Sequence, residues 1–132
     1  MSSDAVACDA LLPLTWFLEV RGEFVTGQAL NGLGGGGIGQ NFTPTNTPLR
    51  TKGGWAQVNL LPIPEWRLGA GCGTDRPEAV DARQRNDVCA GYTTIEPGGP
   101  FFVGTEYRLL RTEYVSGTFT SHFVTIAAGF SF

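Results

Sequence analysis

Over most of its length the chain changes the character of its side chains at every second residue, and it does so in stretches too long for an ordinary soluble strand. Leu18, Val20, Gly22 and Phe24 alternate with Glu19, Arg21 and Glu23; Ala56, Val58 and Leu60 with Gln57 and Asn59. Trp66, Leu68, Ala70 and Cys72 alternate with Arg67, Gly69 and Gly71, and Val103, Thr105, Tyr107 and Leu109 with Glu106 and Arg108. At the end of the chain Val124, Ile126, Ala128, Phe130 and Phe132 oppose Phe123, Thr125, Ala127, Gly129 and Ser131. Neighbouring side chains of a strand point to opposite faces, so a period of two sorts each stretch into an apolar side and a polar or small side. No helical period competes with it, and 19 glycines and 8 prolines in 132 residues make poor helices. The expectation is an all-β fold: an antiparallel up-and-down meander of about six long strands, at 15–27, 53–61, 65–74, 86–95, 101–112 and 121–132. Residues 1–14 are expected to be an irregular N-terminal segment, and 15–132 a single β domain.

These stretches run 9 to 13 residues. Strands of soluble domains average about 5 to 6, whereas a tilted strand crossing a bilayer needs about 9 to 11. The connections point the same way. Residues 62–64 and 96–100 make short links; 28–52, 75–85 and 113–120 are longer. Short turns on one side and longer loops on the other are the habit of transmembrane barrels. Aromatic residues gather at strand ends, at Trp16, Phe17, Trp66, Phe101, Phe102, Phe130 and Phe132, the levels at which interfacial girdles sit. The apolar side is then expected to face lipid. Glu19, Arg21, Glu23, Gln57, Asn59, Arg67, Glu106 and Arg108 are expected to line a lumen, with both signs of charge at mid-strand.

Composition removes other classes. Charged residues are 16% and a single lysine, Lys52, is present, at a net charge of -3, which leaves no basic face for a nucleic acid. Fifteen aromatic residues (9 Phe, 3 Tyr, 3 Trp) argue against disorder. No apolar run is long enough for a membrane helix. Met1 to Ala10 has no Lys or Arg and contains Asp4 and Asp9, so no signal peptide is expected in this chain. The three cysteines lack C-x-x-C spacing and His122 is the one histidine, so no metal site is expected. Cys72 and Cys89 flank one connection; they either pair across neighbouring strands or stand as separate thiols.

The remaining motifs read blandly. Gly32, Gly34, Gly35, Gly36, Gly37 and Gly39 sit in a run that formally contains G-x-G-x-x-G, but Pro44 and Pro48 follow where a nucleotide fold needs a helix. The run is expected to be a loop, outside the barrel or folded into the lumen as a constriction. His122, at the start of the last strand, is expected at the rim. No G-x-S-x-G elbow accompanies it, and Glu19, Glu23 and Glu106 each stand near an arginine that disfavours a protonated general acid. Asp75, Glu78, Asp81 and Asp87 lack the spacing of a calcium loop. No catalysis, cofactor or metal is expected.

The stretch from His122 to Phe132 resembles the last strand of bacterial outer-membrane proteins, which alternate apolar residues and end in Phe. The Gly-rich Leu30 to Gly39, Gly53-Gly54-Trp55-Ala56-Gln57 and Glu106 to Thr112 are similar to the C-terminal part of porin-like barrels, so that the likeness covers 17–132. The resemblance implies a partial, C-terminal transmembrane barrel in the bacterial outer membrane, with that membrane's lipid and the barrel-assembly machinery as partners. It implies that Phe130 and Phe132 form part of the assembly signal. Passive passage of small polar solutes through a charged lumen would be the function. Six strands are fewer than the eight of the smallest single-chain barrels, so further N-terminal strands or self-association are expected to close the sheet. Two alternatives compete. A soluble β-barrel or sandwich holding a small apolar ligand would bury Val20, Phe24, Leu68, Tyr107 and Ile126 against one another. An outer-membrane barrel with a structural role and no transport would have a plugged lumen.

Overall fold

The computed structural model describes residues 4–29, 43, 47–78 and 83–130. It is all-β, with seven strands where six are expected: β1 (Ala5–Pro13), β2 (Leu18–Gln28), β3 (Arg50–Ile63), β4 (Trp66–Pro77), β5 (Arg83–Ile95), β6 (Phe101–Tyr114) and β7 (Gly117–Phe130). The extra strand is β1, in the segment expected to be irregular. Its apolar residues fall on both sides (Val6, Leu12 against Ala7, Leu11), so the alternation that marks the other strands is missing. Every neighbour in the order β1-β2-β3-β4-β5-β6-β7 is antiparallel, in one meander sheet. The sheet is open: β1 and β7 are its edges and do not pair with each other.

The links fall at two ends. Those between β1 and β2, β3 and β4, and β5 and β6 lie at one end, here the turn end; the others lie at the loop end. Pro62 is accommodated within β3 beside a register shift between Leu60 and Ile63, where its missing N–H does least harm, and the turn falls at Pro64 and Glu65. Gly98 and Gly99 turn the β5–β6 link with φ of 115° and 68°, a region that other residues avoid. The expected alternation of link lengths breaks at the last joint. Only Val115 and Ser116 separate β6 from β7, with Gly117 at φ 145°, because Glu113 and Tyr114 continue β6 and Gly117 to Thr120 already belong to β7.

Aromatic side chains sit at both ends of the strands: Trp16 and Phe17, with ring centroids 5.1 Å apart, Trp66, and Phe101 against Phe130 at 5.5 Å at the turn end, and Tyr114 against Phe119 at 5.7 Å at the loop end. Ser131 and Phe132, the Gly-rich run from Gly32 to Gly39, and Asp81 lie outside the described residues.

Candidate polar face

Register and alternation together sort the sheet into two faces. Glu19 stands opposite Asn59, and Arg21 opposite Gln57. Asn59 stands opposite Gly69, Gly69 opposite Tyr92, and Tyr92 opposite Glu106. Arg108 lies two residues beyond Glu106, and Arg67 two before Gly69, so both return to the same side. All eight residues expected to act together therefore share one face, the polar face. The other face carries successive apolar rows across the sheet: Val20, Val58, Ala70, Gly91, Tyr107 and Val124 in one, Leu18, Leu60, Leu68, Thr93, Thr105 and Ile126 in the next.

A hydrogen-bonded network ties the polar face together across four strands. The Arg21 Nε donates to Glu19 Oε1 at 2.6 Å, and Asn59 Nδ2 donates to the same oxygen at 2.8 Å. Gln57 Nε2 donates to Asn59 Oδ1 at 2.6 Å and to Tyr92 Oη at 3.2 Å, while Tyr92 Oη donates to Asn59 Oδ1 at 2.8 Å. Tyr92 belongs to β5 and Asn59 to β3. The ring reaches over β4 because the intervening residue is Gly69; a Cβ there would collide with the Tyr92 ring. On β6 the Arg108 guanidinium donates to Glu106 Oε1 at 2.6 Å, and the Trp55 indole donates to Glu23 Oε2 at 3.2 Å. A groove of about 470 Å³ crosses this face, lined by Trp55, Gln57, Tyr92, Glu106, Arg108 and Phe123. Tyr92 and Trp55 are absent from the residues expected to act here. Tyr92 lies in a strand whose Thr, Gly and Ala residues blur the alternation, and the Gly69 opposite it is the signal that marks it.

Toward the loop end the polar face becomes buried. Val25, Gly53, Asp75 and Asn86 form one row, with Thr51 beside it, and Arg83 lies 3.5 Å from Asp75. Val25 and Leu49 are the buried apolar residues among those described.

The apolar face carries the exposure instead. Within β3, Val58 is 44% and Leu60 40% exposed while Asn59 between them is 2% exposed; the edge strand β7 is exposed on both faces. Of the five residues that a soluble ligand-binding barrel would bury against one another, Phe24, Tyr107 and Ile126 are exposed and Val20 and Leu68 are half-buried. At the loop end this face turns charged, with Arg85 pairing to Asp87 at 2.7 Å and Arg111 to Glu113 at 3.2 Å. His122 corrects its expected rim position. β7 starts five residues earlier, at Gly117, which places His122 well inside the strand, where Nδ1 shares a 2.7 Å hydrogen bond with Tyr107 Oη on the apolar face. Ser121, next along the strand, points to the opposite face. Cys72 and Cys89, directly opposite each other on this face, form a disulfide with Cα atoms 4.1 Å apart, and Cys8 is an exposed free thiol. No family model, curated protein or solved structure matches this chain.

Proposed function

We propose that this chain is part of a bacterial outer-membrane β-barrel whose polar face lines a water-filled passage for small polar solutes. The inverted burial carries the reading. In water the apolar side of a sheet turns inward and the polar side is left wet. Here Val58, Leu60, Tyr107, Val124 and Ile126 of the apolar rows are exposed, while Thr51, Asn59, Asp75 and Asn86 on the polar face are buried and Glu19, Gln57, Asn59 and Tyr92 bond to one another. A sheet of this kind is stable where hydrocarbon covers the apolar rows, which suits strands of 9 to 14 residues. The turn-end aromatic residues suit an interfacial level, and the charged loop-end rows suit headgroups and water. A cross-strand disulfide suits an oxidising compartment such as the cell envelope. In the passage, the opposed charges of Glu19 with Arg21 and Glu106 with Arg108 act at close range on a passing solute and largely cancel at long range, giving polar selection without strong discrimination by net charge.

Two tryptophans test the orientation. Trp66 lies on the apolar face and Trp55 on the polar one. Single-tryptophan variants, in vesicles whose acyl chains carry bromine, should show quenching of Trp66 and far less of Trp55. Equal quenching of the two, or a chain that stays monomeric in water without detergent, ends the proposal. Stepwise conductance in planar bilayers tests the passage itself, and its absence from a correctly inserted protein favours the structural barrel without transport.

A further inference from the structure

The apolar face ends in a concentration of positive charge. Five of the chain's nine Lys and Arg residues, Arg50, Lys52, Arg76, Arg85 and Arg111, share the loop-end rows of that face, in a chain whose net charge is -3. Arg85 and Arg111 have Asp87 and Glu113 as partners. Arg50 has Glu78 beside it, whose N–H reaches the Arg50 carbonyl at 2.8 Å. Lys52 and Arg76 differ: among the described residues neither makes an ion pair. They stand directly opposite each other on β3 and β4, and both are exposed. Like charges in opposed positions of a sheet repel, and an anion lying between them removes the repulsion.

A track of small side chains leads away from this pair. Toward the turn end the opposed residues are Gly54 with Thr74, Ala56 with Cys72, and Val58 with Ala70. They floor two successive shallow grooves, one of about 480 Å³ that reaches Arg85 and one of about 460 Å³ bounded by Leu60 and Tyr107. From Gly54 to Leu60 the track covers about 20 Å of strand. At a strand tilt of about 35–45° that is about 15 Å of depth, half of a hydrocarbon core of about 30 Å. We infer that Lys52 and Arg76 hold the phosphate of one anionic lipid, with an acyl chain lying along Gly54, Ala56 and Ala70. The inference rests on the membrane reading above and adds a particular lipid class and place to it. The Arg76 guanidinium offers a planar fork to phosphate oxygens and Lys52 a point charge, while Arg85 adds positive potential at the head of the groove. A free phosphate would use the two charges and leave the groove without a role; a lipid uses both.

The full chain, reconstituted in phosphatidylcholine vesicles containing a minority of phosphatidylglycerol, is extracted into detergent and its bound lipid counted by mass spectrometry. Phosphatidylglycerol should be retained in preference to phosphatidylcholine. Lys52→Gln with Arg76→Gln should weaken that retention about thirtyfold, the effect of two cations beside an anionic headgroup. Ala56→Leu leaves every charge in place and blocks the track at an exposed position, and it should weaken retention too. Inorganic phosphate in excess should not release the lipid. Equal retention of the two lipids, unchanged retention in either variant, or release by inorganic phosphate overturns the inference, the last by making the pair a site for a free anion. A second measurement needs no extraction. Lys52→Gln removes a like-charged neighbour, so the urea midpoint should hold or rise in pure phosphatidylcholine and fall when phosphatidylglycerol is present. A shift of the same sign and size in both lipids also overturns the inference. Trp66 quenching by brominated acyl chains separates the two ideas, because it persists if the lipid site is wrong and is lost if the membrane reading is wrong.

Discussion

Tyr92 concentrates the residue-scale energetics of the polar face. Its hydroxyl donates to Asn59 Oδ1 and accepts from Gln57, and Asn59 is almost fully enclosed. Removing the hydroxyl deletes two hydrogen bonds while Gln57 Nε2 keeps its bond to Asn59 Oδ1, a loss of about 1–3 kcal/mol at about 0.5–1.5 kcal/mol per bond. Tyr92→Phe should therefore lower stability by about that amount in a urea titration of the reconstituted protein. Gly69→Ala should do similar damage by a different route, since the new methyl displaces the ring that makes the bonds. Both changes remove one interaction, so the double variant should lose clearly less than the sum of the singles; strict additivity would show that the ring and the glycine are not coupled. Most of this face was legible in the alternation of Glu19, Arg21, Gln57 and Asn59. The bond reaching from β5 to β3 was not, because it depends on which strand lies between them, and a linear pattern holds no such adjacency.

At the scale of elements, register decides what each strand can contribute. A slip of one residue between β4 and β5 would exchange the two faces of every strand beyond it. The Cys72–Cys89 bridge sits at that joint and joins directly opposed residues, so it fixes the register independently of the side-chain pattern. That matters most for β5, whose alternation is the least distinct. The bridge closes a sequence separation of 17 residues, and the chain-entropy argument assigns a closure of that size about 3 kcal/mol. Cys72→Ala with Cys89→Ala should lower unfolding free energy by about 2–4 kcal/mol. Reduction of the native protein should give the same shift, and a change well below 1 kcal/mol would make the bridge incidental. The spacing of the two cysteines did not decide between pairing and separate thiols, because only the β4–β5 register places them opposite each other. The same limit explains β1 and the β6–β7 turn. A strand apolar on both sides, and strand ends in which Tyr114, Val115 and Phe119 fall irregularly among polar residues, each lose the period of two, and hydrogen bonding to a neighbour then defines them.

For the whole molecule, the question is which solvent meets which face, and one pair of neighbouring positions separates the answers. Val124 and Thr125 are consecutive on β7, both are exposed, and they point to opposite faces. In water, an arginine at either position extends into solvent, and substitutions of that kind usually fall within about 0.5 kcal/mol of neutral. In a bilayer the two are no longer equivalent. An arginine at a lipid-facing position near the midplane of a barrel wall costs about 2–4 kcal/mol, while one facing the interior meets water and other polar groups. Val124 lies in the row of Val20, Val58, Ala70, Gly91 and Tyr107, with further apolar rows toward the turn end and charged ones toward the loop end, which sets it within the band rather than at its border. Val124→Arg should therefore destabilise the vesicle-bound protein by about 2–4 kcal/mol, and Thr125→Arg by less than about 1 kcal/mol. The contrast should shrink when the changed residue moves toward the loop end, at Thr120, where the same face already carries Arg111 alongside. Equal and small losses at positions 124 and 125 would mean that water wets both sides of this sheet, and the exposed Val, Ile and Phe side chains would then require another protein, rather than lipid, to cover them.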